Sequence, residues 1–118
     1  MKRKICVVVT ARPSYSRIKT ALDAIQNHPE LELQLVVAAS ALLERYGTAV
    51  RTIESDGFNI AAKVFNVLEG ENLTAAAKTT GIGILELSTV FDNLNPDIVV
   101  TIADRFETMA TAISASYM

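Results

Sequence analysis

Polarity along this chain comes in blocks. Ile5-Cys6-Val7-Val8-Val9 is an unbroken apolar run with β-branched residues at its centre, the pattern of a parallel strand covered on both faces. The run stops at Thr10-Ala11-Arg12-Pro13-Ser14-Tyr15-Ser16, where Pro13 has no N–H to give a central ladder. From Ser14 onward Ile18, Ala21, Leu22 and Ile25 recur at helical spacing, which predicts a helix that begins within this loop and ends near Asn27, ahead of His28-Pro29. Leu31 to Val37 alternates and then turns apolar, as a second strand entering the interior would, and Ala38-Ala39-Ser40 ends it. Residues 41–46 fit a short helix closed by Gly47, and Thr48 begins another through Val50, Ile53 and Asp56, stopped by Gly57. Ile60 to Phe65 reads as a third strand on poor periodicity. From Asn72 or Thr74 to Asn93 runs a long helical pattern with Ala75, Ala76, Ile82, Leu85, Leu87, Val90, Phe91 and Leu94 as expected buried positions, ended before Pro96. Asp97 to Ile102 is a fourth apolar strand, followed by a last helix from about Phe106 to the end.

Strands alternating with helices predict an α/β fold with a doubly wound parallel sheet, and right-handed crossovers leave few topologies. The simplest order is 3-2-1-4. In that order the first and fourth strands are neighbours and the chain leaves them toward opposite sides. A crevice then opens between the loop at Arg12 and the loop at Asp104, both at carboxyl ends of strands, where such sheets bind ligands.

Composition narrows the function classes. A chain of 118 residues, half of them apolar, supports one core and not two. A net charge of −2 with both signs interspersed gives no nucleic-acid footprint and no basic membrane-surface patch. No apolar run approaches the ~20 residues that cross a bilayer, and the run after Lys2-Arg3-Lys4 is too short for a signal peptide, so the expectation is a cytoplasmic protein without membrane attachment. Cys6 is the single cysteine, excluded from an internal disulfide and expected to pack in the core. Gly81-Ile82-Gly83 follows no strand and lacks a third glycine, so the dinucleotide and Walker fingerprints fail and close packing or a kink is expected instead. His28 falls in a turn at the far end of the sheet and receives no role.

Arg12, at the end of a buried strand, offers a permanently charged fork suited to phosphate oxygens, and Ser14 and Ser16 add hydroxyls beside the free N–H groups of a helix start. Two readings stand side by side: a diphosphate cradle, or a solvated Arg12 with Ser14 merely capping the helix. Asp104 and Glu107 likewise have the spacing of a capping box, set against their position at the switch point, where a carboxylate beside Arg105 can anchor a sugar hydroxyl or act as a base.

The stretch Val-Thr-Ala-Arg-Pro-Ser-Tyr-Ser (9 to 16), Leu43-Glu44-Arg45-Tyr46-Gly47 with Ile53-Glu54, and Pro96-Asp97-Ile98-Val99-Val100 leading to Ala103-Asp104-Arg105-Phe106-Glu107 together resemble the N-terminal part of UDP-N-acetylglucosamine 2-epimerases. Arg-x-x-Tyr-Ser and Asp-Arg-Phe resemble the hydrolysing branch more than the non-hydrolysing one. The resemblance implies a Rossmann-like doubly wound sheet forming the N-terminal part of a two-domain enzyme of glycosyltransferase-B type, with residues 1–118 an incomplete first domain and the second domain beyond them. It implies UDP-N-acetylglucosamine and UDP as partners, UDP contacts at Arg12, Ser16 and Arg105, and a catalytic carboxylate at Asp104. It calls for no cofactor and no metal. Ala103 departs from the glycine usual before that aspartate.

The expected activity is conversion of UDP-N-acetylglucosamine and water to N-acetylmannosamine and UDP, feeding sialic acid-type sugar synthesis, with these residues alone inactive. The alternatives are a UDP-sugar-dependent glycosyltransferase of the same architecture and a non-catalytic flavodoxin-like module. Because the fourth strand would be an edge apolar on both faces, with no following strand to cover it, self-association into a homo-oligomer is also expected.

Overall fold

The computed structural model of the chain describes residues 2–38, 49–65, 72–102 and 107–118, except for the side chains of Arg12 and Glu107. Strands β1 (Arg3–Val9), β2 (Leu31–Ala38), β3 (Ile60–Val64) and β4 (Ile98–Ile102) alternate with helices α1 (Arg12–Asn27), α2 (Ala49–Ser55), α3 (Leu73–Leu94) and α4 (Glu107–Tyr117). The sheet is parallel throughout, in the order β3-β2-β1-β4. This is the doubly wound α/β arrangement expected from the alternation of blocks. The expected helix at residues 41–46 lies outside the described residues.

β1 is buried on both faces because it is central and helices cover each side. Its side chains alternate between two cores, as the period of a strand requires. Ile5, Val7 and Val9 pack with Ile18 and Leu22 of α1, Leu35 and Val37 of β2, and Ile53 of α2. Cys6 and Val8 pack on the other face with Val36, Ala38, Leu87 and Phe91, joined by Ala110 of α4. Burial pushes the Cys6 thiol up to about 12, because a thiolate there would have no water. The cysteine is thus a packing residue, as expected.

Expectations along α3 and β3 are refined by neighbours that the sequence pattern does not reveal. Leu85, an expected core position of α3, is 72% exposed, because the helix buries the stripe Ala75, Thr79, Gly83, Leu87 and Phe91 instead. That stripe advances in steps of four and contains three residues that are not large hydrophobes. Of the Gly81-Ile82-Gly83 stretch, Gly83 lies in the buried stripe, whereas Gly81 is exposed and a Cβ added there would meet nothing within 4 Å. Phe65 lies just past β3 and is 73% exposed. Both ends of α3 follow the sequence: Asn72 accepts from the Ala75 N–H at the N-cap, and Asn95, with φ +48°, closes the C-terminus before Pro96.

Candidate functional site

Two chain segments that are distant in sequence leave the sheet side by side. β1 pairs with β4 in a register that sets Val9 opposite Ile102, so the residues after each strand emerge from adjacent carboxyl ends. The expected adjacency of strands 1 and 4 is therefore a feature of the fold, while the residues expected to form the far side of the crevice lie outside the described residues. Of the expected site residues, Arg12 opens α1, and Ser16, one turn later, is exposed on the same helix. Positions 12 and 16 share a helix face by their spacing. Asp104 and Arg105, and the expected capping box of Asp104 with Glu107, lie outside the described residues.

The start of α1 corrects the sequence reading in a way that matters for the site. The helix begins within the expected loop, at Arg12, with Ala11 rather than Ser14 as N-cap, in extended conformation, and Pro13 inside the first turn. Proline is accommodated there because its fixed φ suits a helix and its missing N–H would have had no partner anyway. Ser14 therefore caps nothing; it is buried at 3% exposure within the first turn. Ala11 supplies no side-chain cap, and no acidic residue stands in the first turn. The usual devices that fix a helix start are absent from this one.

Another device is present. Tyr15, buried to 3% exposure, donates its hydroxyl hydrogen to Asp56 Oδ2 at 2.5 Å, and Lys19, one turn further along α1, reaches the same oxygen at 3.2 Å. The Tyr15 ring meets Phe58 edge to face, with centroids 6.3 Å apart. Asp56 is held by the way α2 ends. The Gly57 N–H donates to the Glu54 carbonyl and the Phe58 N–H to the Ile53 carbonyl, with Gly57 at φ +93°, a left-handed closure that also buries Phe58 against Ile53. That closure requires glycine. It leaves a carboxylate at the negative end of a helix, an unfavourable place that Tyr15 and Lys19 offset. Tyr15 first, then Lys19, holds the Asp56 carboxyl below its ordinary range, while burial and then Asp56 push the Tyr15 phenol up. Tyr15, Ser16, Lys19, Thr52 and Asp56 line a cleft of about 250 Å³ between α1 and α2.

Sequence reasoning read Asp56-Gly57 only as a helix stop and gave Tyr15 no structural part. The available signal was the combination of Tyr15 and Lys19 four residues apart on α1 with an acidic residue at a helix end. A wider cleft of about 540 Å³, lined by Asp92, Pro96, Asp97 and Met118, lies beside the amino end of β4. It is at the wrong end of the sheet for the switch-point crevice. Near the carboxyl end of β4, the Oγ1 atoms of Thr101, Thr108 and Thr111 are buried without a hydrogen-bond partner among the described residues. Among the described residues, no helix is long and apolar enough to cross a membrane.

Comparison with known proteins agrees with this architecture. Residues 23–118 match the family model described as UDP-N-acetylglucosamine 2-epimerase. A Campylobacter jejuni relative named GDP/UDP-N,N'-diacetylbacillosamine 2-epimerase (hydrolyzing) is 30% identical over 94% of this chain and 29% of its own length. A Neisseria meningitidis UDP-N-acetylglucosamine 2-epimerase is 31% identical over 95% of this chain and 29% of its own. The chain thus spans under a third of the length of the curated relatives it matches. The crystal structure of a UDP-GlcNAc 2-epimerase from Neisseria meningitidis bound to UDP-GlcNAc superposes with a TM-score of 0.77 at 17% identity, over 97% of this chain and 29% of that one.

Proposed function

The chain belongs to the UDP-N-acetylglucosamine 2-epimerase family, and from that premise we propose that it forms the N-terminal Rossmann-like part of a two-domain hydrolysing enzyme. That enzyme takes UDP-N-acetylglucosamine and water to N-acetylmannosamine and UDP, for sialic acid-type sugar synthesis. The observation that carries the reading is the pairing of β1 with β4, with Val9 opposite Ile102, which supports a shared site for the start of α1 and the residues after β4. The hydrolysing branch is favoured by relatives named as hydrolysing. A nucleotide-sugar substrate and a single buried cysteine fit a cytoplasmic enzyme.

The chemistry balances without a redox step. Loss of the C2 proton to a base and anti departure of UDP from C1 give 2-acetamidoglucal. Water then adds across that double bond, its oxygen to C1 and a proton to C2 on the face opposite the one that lost it, giving N-acetylmannosamine. UDP leaves as an anion, so the barrier falls with fixed positive charge placed where that anion develops. In this reading Arg12 and Arg105 supply that charge, Ser16 contacts UDP, and Asp104 orients the sugar or moves a proton. The oxidation level of the sugar is unchanged, so the scheme calls for no net redox cofactor.

The test is to incubate the full-length protein carrying this sequence with UDP-N-acetylglucosamine and no acceptor. Free N-acetylmannosamine and UDP in equal amounts are the expected products. UDP-N-acetylmannosamine instead would move the enzyme to the non-hydrolysing branch, and preferential turnover of a diacetamido-trideoxy nucleotide sugar would reassign the substrate. Absence of turnover on any of these would overturn the proposal.

A further inference from the structure

We propose that Tyr15 is a positioning residue for the UDP-binding turn of α1, acting through its hydrogen bond to Asp56; this rests on the reading of Arg12 and Ser16 as UDP contacts. The turn that carries both residues has no cap of its own, since Ala11 offers no side-chain acceptor and Pro13 no N–H. Its first backbone bond, from the Tyr15 N–H to the Ala11 carbonyl, is 3.2 Å long and belongs to Tyr15 itself. The side chain of Tyr15 ties that turn to something outside α1. Its ring is buried against Phe58, and its hydroxyl ends on Asp56, which the left-handed closure of α2 holds in place. Tyr15 and Ser16 are consecutive in the same turn, one buried and one exposed, and both line the cleft between α1 and α2. A shift of the tyrosine therefore moves the neighbouring contact residues with it.

The hydroxyl and the ion pair do not share this work equally. Lys19 and Asp56 have side chains 44% and 25% exposed, so their pairing is screened by water and contributes little. The phenol, by contrast, is buried and its partner is charged, which makes its bond the stronger of the two. The cluster thus fixes helix position through Tyr15 and trims charge through Lys19. Misplaced binding groups cost rate as well as affinity, because the charge stabilisation needed as UDP leaves is geometrically demanding.

The test uses the full-length protein with UDP-N-acetylglucosamine, measuring kcat, KM, UDP affinity and melting temperature together. Tyr15→Phe keeps the ring and removes only the hydroxyl; kcat/KM should fall about tenfold, with UDP affinity falling in parallel, at a temperature where the variant is fully folded. Asp56→Asn keeps an acceptor for the phenol and should retain most of the activity, whereas Asp56→Ala should match Tyr15→Phe. The double variant should be no worse than either single one, and Lys19→Met should leave kcat/KM within about twofold of the parent. A lower melting temperature with kcat, KM and UDP affinity unchanged in Tyr15→Phe would reduce the cluster to a structural staple and overturn the proposal, while leaving the reaction assignment standing. If the parent protein does not turn over a UDP-sugar, the reaction assignment fails instead. Amide exchange then decides the positioning claim, with faster exchange over residues 12–17 in Tyr15→Phe supporting it and unchanged exchange refuting it.

Discussion

β1 and β4 lie side by side, run parallel, carry similar residues and are held very differently. Ile5 to Val9 of β1 are buried, with strands on both sides. In β4 all but the first residue are half-buried, Ile98 is 42% exposed, and the described strands give it β1 as its one neighbour. Apolar composition says that a strand belongs inside a sheet; lateral neighbours decide how firmly it is held. One side of the proposed site therefore grows out of a fully packed strand, and the other out of a strand held along one edge.

The largest expected effects fall on the site itself. In the full-length enzyme, Arg12→Ala should lower kcat by on the order of 100-fold or more, as loss of a preorganised donor to a developing anion does. Asp104→Asn should cost a similar factor while sparing UDP binding. Near-normal turnover in Asp104→Asn would return that residue to the capping role. An effect of Arg12→Ala on folding alone, seen as a lower melting temperature with unchanged kinetics, would remove the β1 side from the site.

Stability sharpens the same comparison at the register pair Val7 and Val100, the same residue type on the same face of adjacent strands. Val7 is fully buried and Val100 half-buried. Val7→Ala should cost about 2 kcal/mol in urea unfolding and Val100→Ala about half of that. Equal losses would mean that β4 is as tightly packed as β1 in solution.

Cys6 and its register partner Val99 extend the test to pH. Burial pushes the folded thiol from its ordinary 9.0 up to about 12, so the folded state holds the proton over a range where the unfolded state releases it. That contribution to stability is complete below about 9 and is lost as pH rises toward 12. Cys6→Ala should flatten the alkaline decline relative to the parent, and thiol labelling at pH 8 should require unfolding. The smallest effect is expected at Thr101, opposite Val8. Thr101→Val removes a buried hydroxyl that has no partner among the described residues, so stability should be unchanged or rise by up to about 1 kcal/mol. A clear loss would place a bonding partner there.

How much of this is legible in the sequence varies from element to element. The strand order 3-2-1-4 follows from the alternation of blocks and the handedness of crossovers, and Gly57 and Pro96 mark helix ends that the structure keeps. Leu85 was unreadable because α3 is apolar around much of its circumference, so composition could not choose the buried stripe. The start of α1 within the loop is legible, but its cap is not: Ser14 looks like a cap, whereas a proline suited to helical φ lets the helix begin at Arg12 with Ala11 before it. The Tyr15 to Asp56 bond joins residues 41 positions apart, a pairing that periodicity within either segment cannot supply. The motif resemblance reached the family because it draws on separated loops, which is where binding residues sit and where packing patterns are silent.

The central claim is that the start of α1 and the residues following β4 form one UDP site at the switch point. Hydrogen–deuterium exchange on the full-length protein, with and without saturating UDP, tests it directly. Protection should appear together in peptides covering residues 10–17 and 102–110, with no change in peptides around Asp92 to Asp97 at the other end of the sheet. Protection confined to the latter region, or absent from both of the former at saturating UDP, would contradict the account.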